Sequence, residues 1–479
     1  MKMTRRTSLM LGGSALLSAC VPFPQKRVRR VLLITSDEHN PKISSVEGHP
    51  FIHTPNLQRL ADRGTTYLSC YSPSPLCIPA RSSFMCGKYV HETQVYNNCT
   101  LRERDFPSYG NVLKDYGVYT AHYGKKHLYR KSADLGFSEI YHGPWPDWMT
   151  PHDPNIGRGE VQPRPNADKR AVRYGPRPPE EAYRLDGPTV DEAVDWLNEK
   201  APALDQPWLL SVNLSNPHFP AYADQELWDL YKDHEDLPEF GKEEASAQHP
   251  HAADLRTHFM TDHISEKDVR GMRRGYYAIV TYMDRQVGRL LDALEASGQL
   301  DDTLVIYTSD HGEMMGKFGM WWKSSLYDDS ARIPLIISGP GFRRGATDVA
   351  AVEQLDLLAT IFQFLGKPYP ADWHGEPLQR MVPNDPNKVA FSEYHGHGTR
   401  SSGYILRKGE WKFIYYCGSP NQLFNMAADP DELNNLVAAN PDKAAELEAE
   451  LRKICDPEKE SRRADEFTDW QLSVLNKDR

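Results

Sequence analysis

Acids, lysines, histidines and one cysteine stand at the ends of apolar runs in this chain, where they would build a hydrolytic site. Ser36-Asp37-Glu38-His39 follows the run 31–35, and Ser309-Asp310-His311-Gly312 follows the run 303–308. Asp37, Glu38, Asp310 and His311 offer hard oxygen and imidazole donors suited to a divalent cation. Gly124-Lys125-Lys126-His127 and Asn216-Pro217-His218 close two further runs, 119–123 and 208–214. Cys77-Ile78-Pro79-Ala80-Arg81 places a nucleophile where a helix begins, beside a guanidinium, and both features lower the cost of an oxyanion there. Lys323, within the Trp-rich block 320–334, adds another cation. An anionic ester centre resists water, so its hydrolysis calls for this set: a positioned nucleophile, a metal cation and fixed positive groups.

The elements that must hold these residues follow from the same runs. Short apolar stretches such as Val31–Thr35 read as strands buried on both faces. Between them, Thr54-Pro55 to Arg63-Gly64 reads as a helix with Pro at its first position and Gly at its end. Val269, Met272, Tyr276, Ile279, Met283, Val287, Leu290 and Leu294 recur at helical spacing up to Gly298. Strands alternating with helices predict an α/β fold with a large, mostly parallel sheet, its ligands bound at the carboxyl ends of the strands. After a helix from Asp356 to Leu365 the chain turns Pro-rich. Strands at Val389–Tyr394, Tyr404–Arg407 and Trp411–Tyr416 and a helix at Pro441–Ile454 then predict a smaller α+β domain with an antiparallel sheet. The expected division is 29–375 and 376–479. Gly143 to Pro179 reads as an irregular insertion of the kind that shapes binding sites.

The segment Cys77 to Arg81 matches C-x-P-x-R and resembles the type I sulfatases of the alkaline phosphatase superfamily, whose cysteine becomes formylglycine (3-oxoalanine). The resemblance covers nearly the whole chain after residue 28 and implies an alkaline phosphatase-like sandwich. It implies that Arg81 and Lys125 hold the hydrated aldehyde, that one hydroxyl of Cys77 as converted attacks sulfur, and that His127 deprotonates the other. It also implies that His218 and Lys323 bind sulfate and protonate the leaving alcohol, and that Asp37, Glu38, Cys77, Asp310 and His311 hold the metal. The pairs Asp37-Glu38 and Asp310-His311 are nearest the choline sulfatase and phosphonate monoester hydrolase branch. Calcium is the expected ion, with manganese or magnesium compatible. A formylglycine-generating enzyme is then an implied partner.

A formal charge of -10 and a pI near 6.0 argue against nucleic acid as a partner, because a phosphate backbone selects for clustered Lys and Arg. Lys2, Arg5 and Arg6, the run Leu9 to Leu17, and Leu17-Ser18-Ala19-Cys20 read as a lipoprotein leader: residues 1–19 a signal peptide, Cys20 the lipidated residue and 20–28 a tether. The apolar run is too short to span a bilayer, so the expected membrane attachment is by lipid only. Thr4 to Leu9 also resembles a twin-arginine signal, and Val21 points to the outer membrane. Of seven cysteines, Cys417 and Cys455 are a possible disulfide pair. Export favours a sulfated carbohydrate as substrate, with Trp145, Trp148, Trp321, Trp322 and Trp373 as possible stacking faces. Choline sulfate, a phosphonate monoester or phosphodiester, and glycan binding without turnover remain open. The stretch His249, His251, His258 and His263 reads as a lid rather than a zinc site.

Overall fold

The computed structural model describes residues 28–99, 101, 104–128, 135–144 and 153–476. The leader, Cys20, Trp145 and Trp148 lie outside the described residues. The central sheet has eight strands: β1 (Arg30–Ser36), β2 (Gly64–Tyr67), β3 (Tyr119–Gly124), β4 (Glu139–Tyr141), β5 (Trp208–Asn213), β6 (Thr303–Ser309), β7 (Leu335–Ser338) and β8 (Ala346–Asp348). Their spatial order is β8-β2-β7-β6-β1-β5-β3-β4. β6, β1, β5, β3 and β4 pair in parallel, and β7 runs antiparallel to both its neighbours.

Period-2 alternation sends the two halves of each strand to two cores. Leu32, Ile34, Leu210, Val212 and Val305 pack with Ile279, Met283 and Val287 of the helix Glu266–Ala296. Val31, Leu33, Leu209, Leu304 and Ile306 pack with Leu358, Ile361 and Phe362 of the helix Asp356–Leu365. Burial on both faces is what near-continuous apolar strands require, and it fixes their register. That register aligns the strand ends: Ser36 pairs with Ser309, and Asn213 pairs with Thr35 and Gly124. Asp37, Lys125 and Asp310 therefore leave the sheet side by side. Gly124 makes the exit of β3 possible, with φ +89 and a hypothetical Cβ 2.1 Å from the Asn213 carbonyl oxygen.

The C-terminal part holds an antiparallel sheet, β9 (Val389–Tyr394), β10 (Gly403–Lys408), β11 (Trp411–Tyr416) and β12 (Gln422–Asn425), covered by the helix Pro441–Ile454. β12 and the closing helix Pro457–Leu475 were not expected. Gly64 also differs from expectation: it opens β2 rather than capping the helix Pro55–Asp62, because the Ile337 carbonyl leaves no room for a Cβ. Cys417 and Cys455 are free thiols in this structure, and the Cys417 thiol is directed at the Pro457 carbonyl oxygen, 3.4 Å away.

Lys412 of β11 joins this sheet to the main body. Its ammonium, fully buried, lies 2.7 Å from Asp328 Oδ1 and 2.6 Å from Glu432 Oε1. Burial alone would raise the Asp328 pKa, but Lys412 and Arg332 outweigh it and hold the carboxyl at about 2. A carboxylate with a depressed folded pKa stabilises the fold above the usual carboxylate range, and that stability is lost as pH falls toward 2. Lys412→Ala is expected to cost about 3–5 kcal/mol by leaving buried acids unpaired. Denaturant unfolding at pH 7 checks it; a loss under about 1 kcal/mol would show the pair to be dispensable.

Candidate active site

Cys77 opens the helix Cys77–Cys86, every residue of which is buried. Asn98 fixes this end of the helix by accepting from the Ile78 amide at 3.1 Å. Cys77 Sγ stands 3.1 Å from His311 Nε2 and 4.0 Å from Asp37 Oδ1. Burial pushes the thiol up to about 11, so at neutral pH it is protonated and a poor nucleophile. One turn on, Arg81 Nε donates to Asp310 Oδ2 at 2.6 Å, and its guanidinium reaches Asp37 Oδ2 at 3.5 Å.

Asp37, Cys77, Asp310 and His311 each offer a donor atom within 4.8 Å of the others. His311 Nδ1 faces the Gly312 carbonyl at 3.0 Å and donates to it, which leaves the Nε2 lone pair for the cluster. Burial lowers the His311 pKa to about 3, so the ring is neutral, as a metal ligand must be. Burial opposes ionisation of Asp310, but Arg81 foremost, with Lys125 and Lys323, holds its carboxyl well below the usual range. Lys125 pairs with Asp37 and is itself pushed down to about 7 by burial. This donor set suits a divalent cation: two buried carboxylates and a neutral imidazole converge, flanked by fixed positive groups.

Glu38 occupies a different position from its neighbour. Its φ of +66 is uncommon for a side chain of this size, and it turns Glu38 toward Lys323 and His218, each 3.2 Å from Oε2. Glu38 Oε1 is buried with no hydrogen-bond partner among the described residues. Asp37, Glu38 and His218 form a second group of donors, which Asp37 shares with the first.

Lys323 Nζ donates to His218 Nε2 at 2.5 Å, and His218 Nδ1 donates to the Phe219 carbonyl oxygen at 2.5 Å. Burial, reinforced by Lys323 and Lys125, drives the His218 pKa well down. Lys323 sits between two strained residues, Trp322 (φ +64) and Ser324 (φ +77). Glu313 holds that turn, with Oε1 accepting from the Trp322 amide at 2.6 Å and the Met315 amide at 2.9 Å. Glu313 was not singled out from sequence, although it follows Asp310-His311-Gly312 directly.

A cleft of about 210 Å³ opens over this assembly, lined by His127, His218, Lys323, Asn98, Leu76 and Ser324 and walled by Phe219, Phe259, Trp322, Asp153, Arg164, Arg170 and His397. Of the sequence-expected catalytic residues, His127, His218 and Lys323 line the cleft; Cys77, Arg81 and Lys125 do not line it and are grouped instead around Asp37 and Asp310. Trp322 reaches the cleft, whereas Trp373 packs against Gly87 and Phe362. The His-rich stretch is not a loose lid: Pro250–Phe259 is a helix with His251 and His258 buried. His397 joins the wall, while His395 is buried against Glu393 and Ser402. Arg332 pairs with Glu47 at 2.6 Å, away from the cleft lining.

Comparison with known proteins agrees with this arrangement. The sulfatase family model matches residues 29–367, and that of the C-terminal part of N-sulphoglucosamine sulphohydrolase matches 316–460. Choline-sulfatase of Rhizobium meliloti (strain 1021) is 33% identical over 440 residues, covering 86% of this chain and 82% of that protein. Two solved structures share the fold. The phosphonate monoester hydrolase of Agrobacterium radiobacter has a TM-score of 0.71 at 22% identity, covering 89% of this chain and 95% of that one. A 2-O GAG sulfatase has a TM-score of 0.69 at 22% identity, covering 89% and 92%.

Proposed function

The chain belongs to the sulfatase family, a sulfuric ester hydrolase, and from that premise we propose that it removes sulfate from an acidic carbohydrate at Cys77. The convergence of Cys77, Asp37, Asp310 and His311 within 4.8 Å, beside the Lys323–His218 pair, carries the reading. Conversion of Cys77 to formylglycine would supply a hydrated aldehyde, and hence a hydroxyl nucleophile, in place of an inert thiol. A divalent cation held by Asp37, Asp310 and His311, with Glu38 adjoining, would neutralise charge on the sulfate oxygens. Calcium is our reading because carboxylate oxygens dominate the set; manganese or magnesium are the alternatives.

The roles of the chain's own groups follow from their places. Arg81 and Lys125 orient the hydroxyls at position 77 and balance Asp37 and Asp310. His127, at the cleft, accepts a proton from the hydroxyl that does not attack. Lys323 Nζ binds the leaving oxygen, and the proton it shares with His218 Nε2 is the one delivered there.

The cleft wall supports a carbohydrate over a quaternary ammonium. Three ring faces, Phe219, Phe259 and Trp322, are joined by two arginines, and the one acid of the lining, Asp153, is bound to Arg164 at 2.6 Å. Choline sulfate is the second reading, favoured by the 33% identity to a choline-sulfatase. Competition separates them: a sulfated disaccharide should inhibit 4-nitrophenyl sulfate hydrolysis more strongly than choline sulfate does, and the reverse order returns the reading to choline.

Removal of the cation tests the metal. Dialysis against a chelator is expected to lower kcat/KM by about 10³-fold, a loss of the size seen when an electrostatic stabiliser is removed, and calcium should restore it. Full activity with metal content below one-tenth of an equivalent would contradict this. For its address, we propose export and lipid attachment at Cys20, supported by the leader pattern of residues 1–20. Among the described residues no helix is long and apolar enough to cross a membrane. Lipid labelling lost in Cys20→Ala would support the anchor, and labelling retained would exclude it.

A further inference from the structure

Among the described residues, Arg170 is the one cation of the cleft lining that no catalytic role or ion pair accounts for. Its guanidinium carbon lies 5.0 Å from the Phe219 ring centroid, 5.6 Å from that of Trp322 and 6.0 Å from that of Phe259. Those rings contact one another, with Phe219 and Phe259 each packed on Trp322 at 5.6 and 5.5 Å. Stacking of this kind holds a guanidinium plane in place while leaving its N–H edge available, which suits it to bind a carboxylate or sulfate with two parallel hydrogen bonds.

No such partner is present among the described residues. Among the described residues the Arg170 side chain makes no hydrogen bond and no ion pair; Asp153, the acid of the lining, is held by Arg164 instead. Burial, with Arg164 adding to it, pushes the Arg170 pKa down only to about 10, so the group is charged at neutral pH. A largely buried, unpaired charge is costly, and an anionic ligand offsets that cost.

The position is as informative as the pairing. Lys323 Nζ stands over the same Phe219 ring, 5.6 Å from its centroid. The separation of the two cations is therefore bounded by the sum of their distances to that ring, within reach of one monosaccharide bearing two anionic groups. We propose that Arg170 binds a second, non-reacting anion of the substrate, a carboxylate or a further sulfate on the sugar whose ester is cleaved, and so selects doubly anionic sugars. This inference rests on the sulfatase reading above.

The test compares kcat/KM on three probes: a disaccharide sulfated on a uronic acid, the same disaccharide with its carboxyl reduced to the alcohol, and 4-nitrophenyl sulfate. Wild type should prefer the uronate over its reduced analogue. Arg170→Gln should lose about 10- to 100-fold more on the uronate than on either probe lacking the second anion, the range expected for a charge-assisted hydrogen-bonded pair. Arg170→Lys, which keeps the charge and loses the fork, should fall between. Equal losses on all three probes would overturn the proposal and leave Arg170 as part of the wall. Failure of wild type to cleave any of the sulfate esters would instead sink the sulfatase reading, so the two failures are distinguishable. Thermal unfolding of both variants shows whether a loss reflects misfolding, and Arg170→Lys then carries the test if Arg170→Gln does not fold.

Discussion

Cys77→Ala is expected to remain folded and to lose sulfate ester turnover by about 10⁶-fold, the scale on which removal of an enzyme's covalent nucleophile acts. The fold should tolerate the change. Cys77 is the first residue of a buried helix whose end is fixed by Asn98, and alanine suits a helix and leaves only a small void. The chemistry should not, because the thiol position is the point where His311 and Asp37 converge, next to the Arg81 and Lys125 charges that pair with Asp37. Sulfate release under saturating substrate, with the unfolding midpoint as control, is the measurement. Retention of more than about one-hundredth of the wild-type kcat would mean that another group attacks the ester.

Lys323→Ala is expected to act selectively on the leaving group. A group that protonates or stabilises the departing oxygen matters most when that oxygen is strongly basic, and such groups contribute about 10²- to 10⁴-fold. Loss of kcat/KM should approach the top of that range for a sugar sulfate, whose alkoxide is a poor leaving group, and the bottom for 4-nitrophenyl sulfate. Lys323 also faces the buried Glu38 carboxylate, so removing it destabilises the site. His218→Gln offers a second route, because Glu38 keeps its lysine while the ring that accepts from Lys323 is lost. It should show the same dependence on leaving group. An equal loss on both esters in both variants would assign the pair to sulfate binding alone.

Much of the architecture behind these predictions was legible in sequence, for a physical reason. Strands such as β1 and β6 are buried on both faces, so their runs are uniformly apolar and stop where the chemistry starts. The side-by-side placement of Asp37 and Asp310 follows once those strands are neighbours, because Ser36 pairs with Ser309. The closing helix Pro457–Leu475 escaped notice because its residues are mostly polar and its buried positions include Glu460, Ser461, Thr468 and Gln471, which give no apolar period.

What separates Asp37 from Glu38 could not be read from adjacent acids in a sequence. It depends on a positive φ imposed by packing, with Tyr276 donating to the Glu38 carbonyl at 2.6 Å. Arg170 was hidden for a similar reason. It lies in an Arg-rich, irregular segment, and its meaning comes from rings at 219, 259 and 322, which only the folded chain brings beneath it. The histidines at 249, 251 and 258 misled because polar residues suggest solvent, whereas here His249 is bonded to the Pro420 carbonyl and His258 to that of Gln162.

The central claim is that Cys77 and its surroundings cleave a carbohydrate sulfate. The most direct measurement is sulfate released by the matured protein from sulfated oligosaccharides, choline sulfate and, for the rival ester, a phosphonate monoester, each with Cys77→Ala as the blank. The account predicts that a sulfated oligosaccharide gives the highest kcat/KM and that the blank gives none. Phosphonate cleavage without sulfate release above the blank would contradict it.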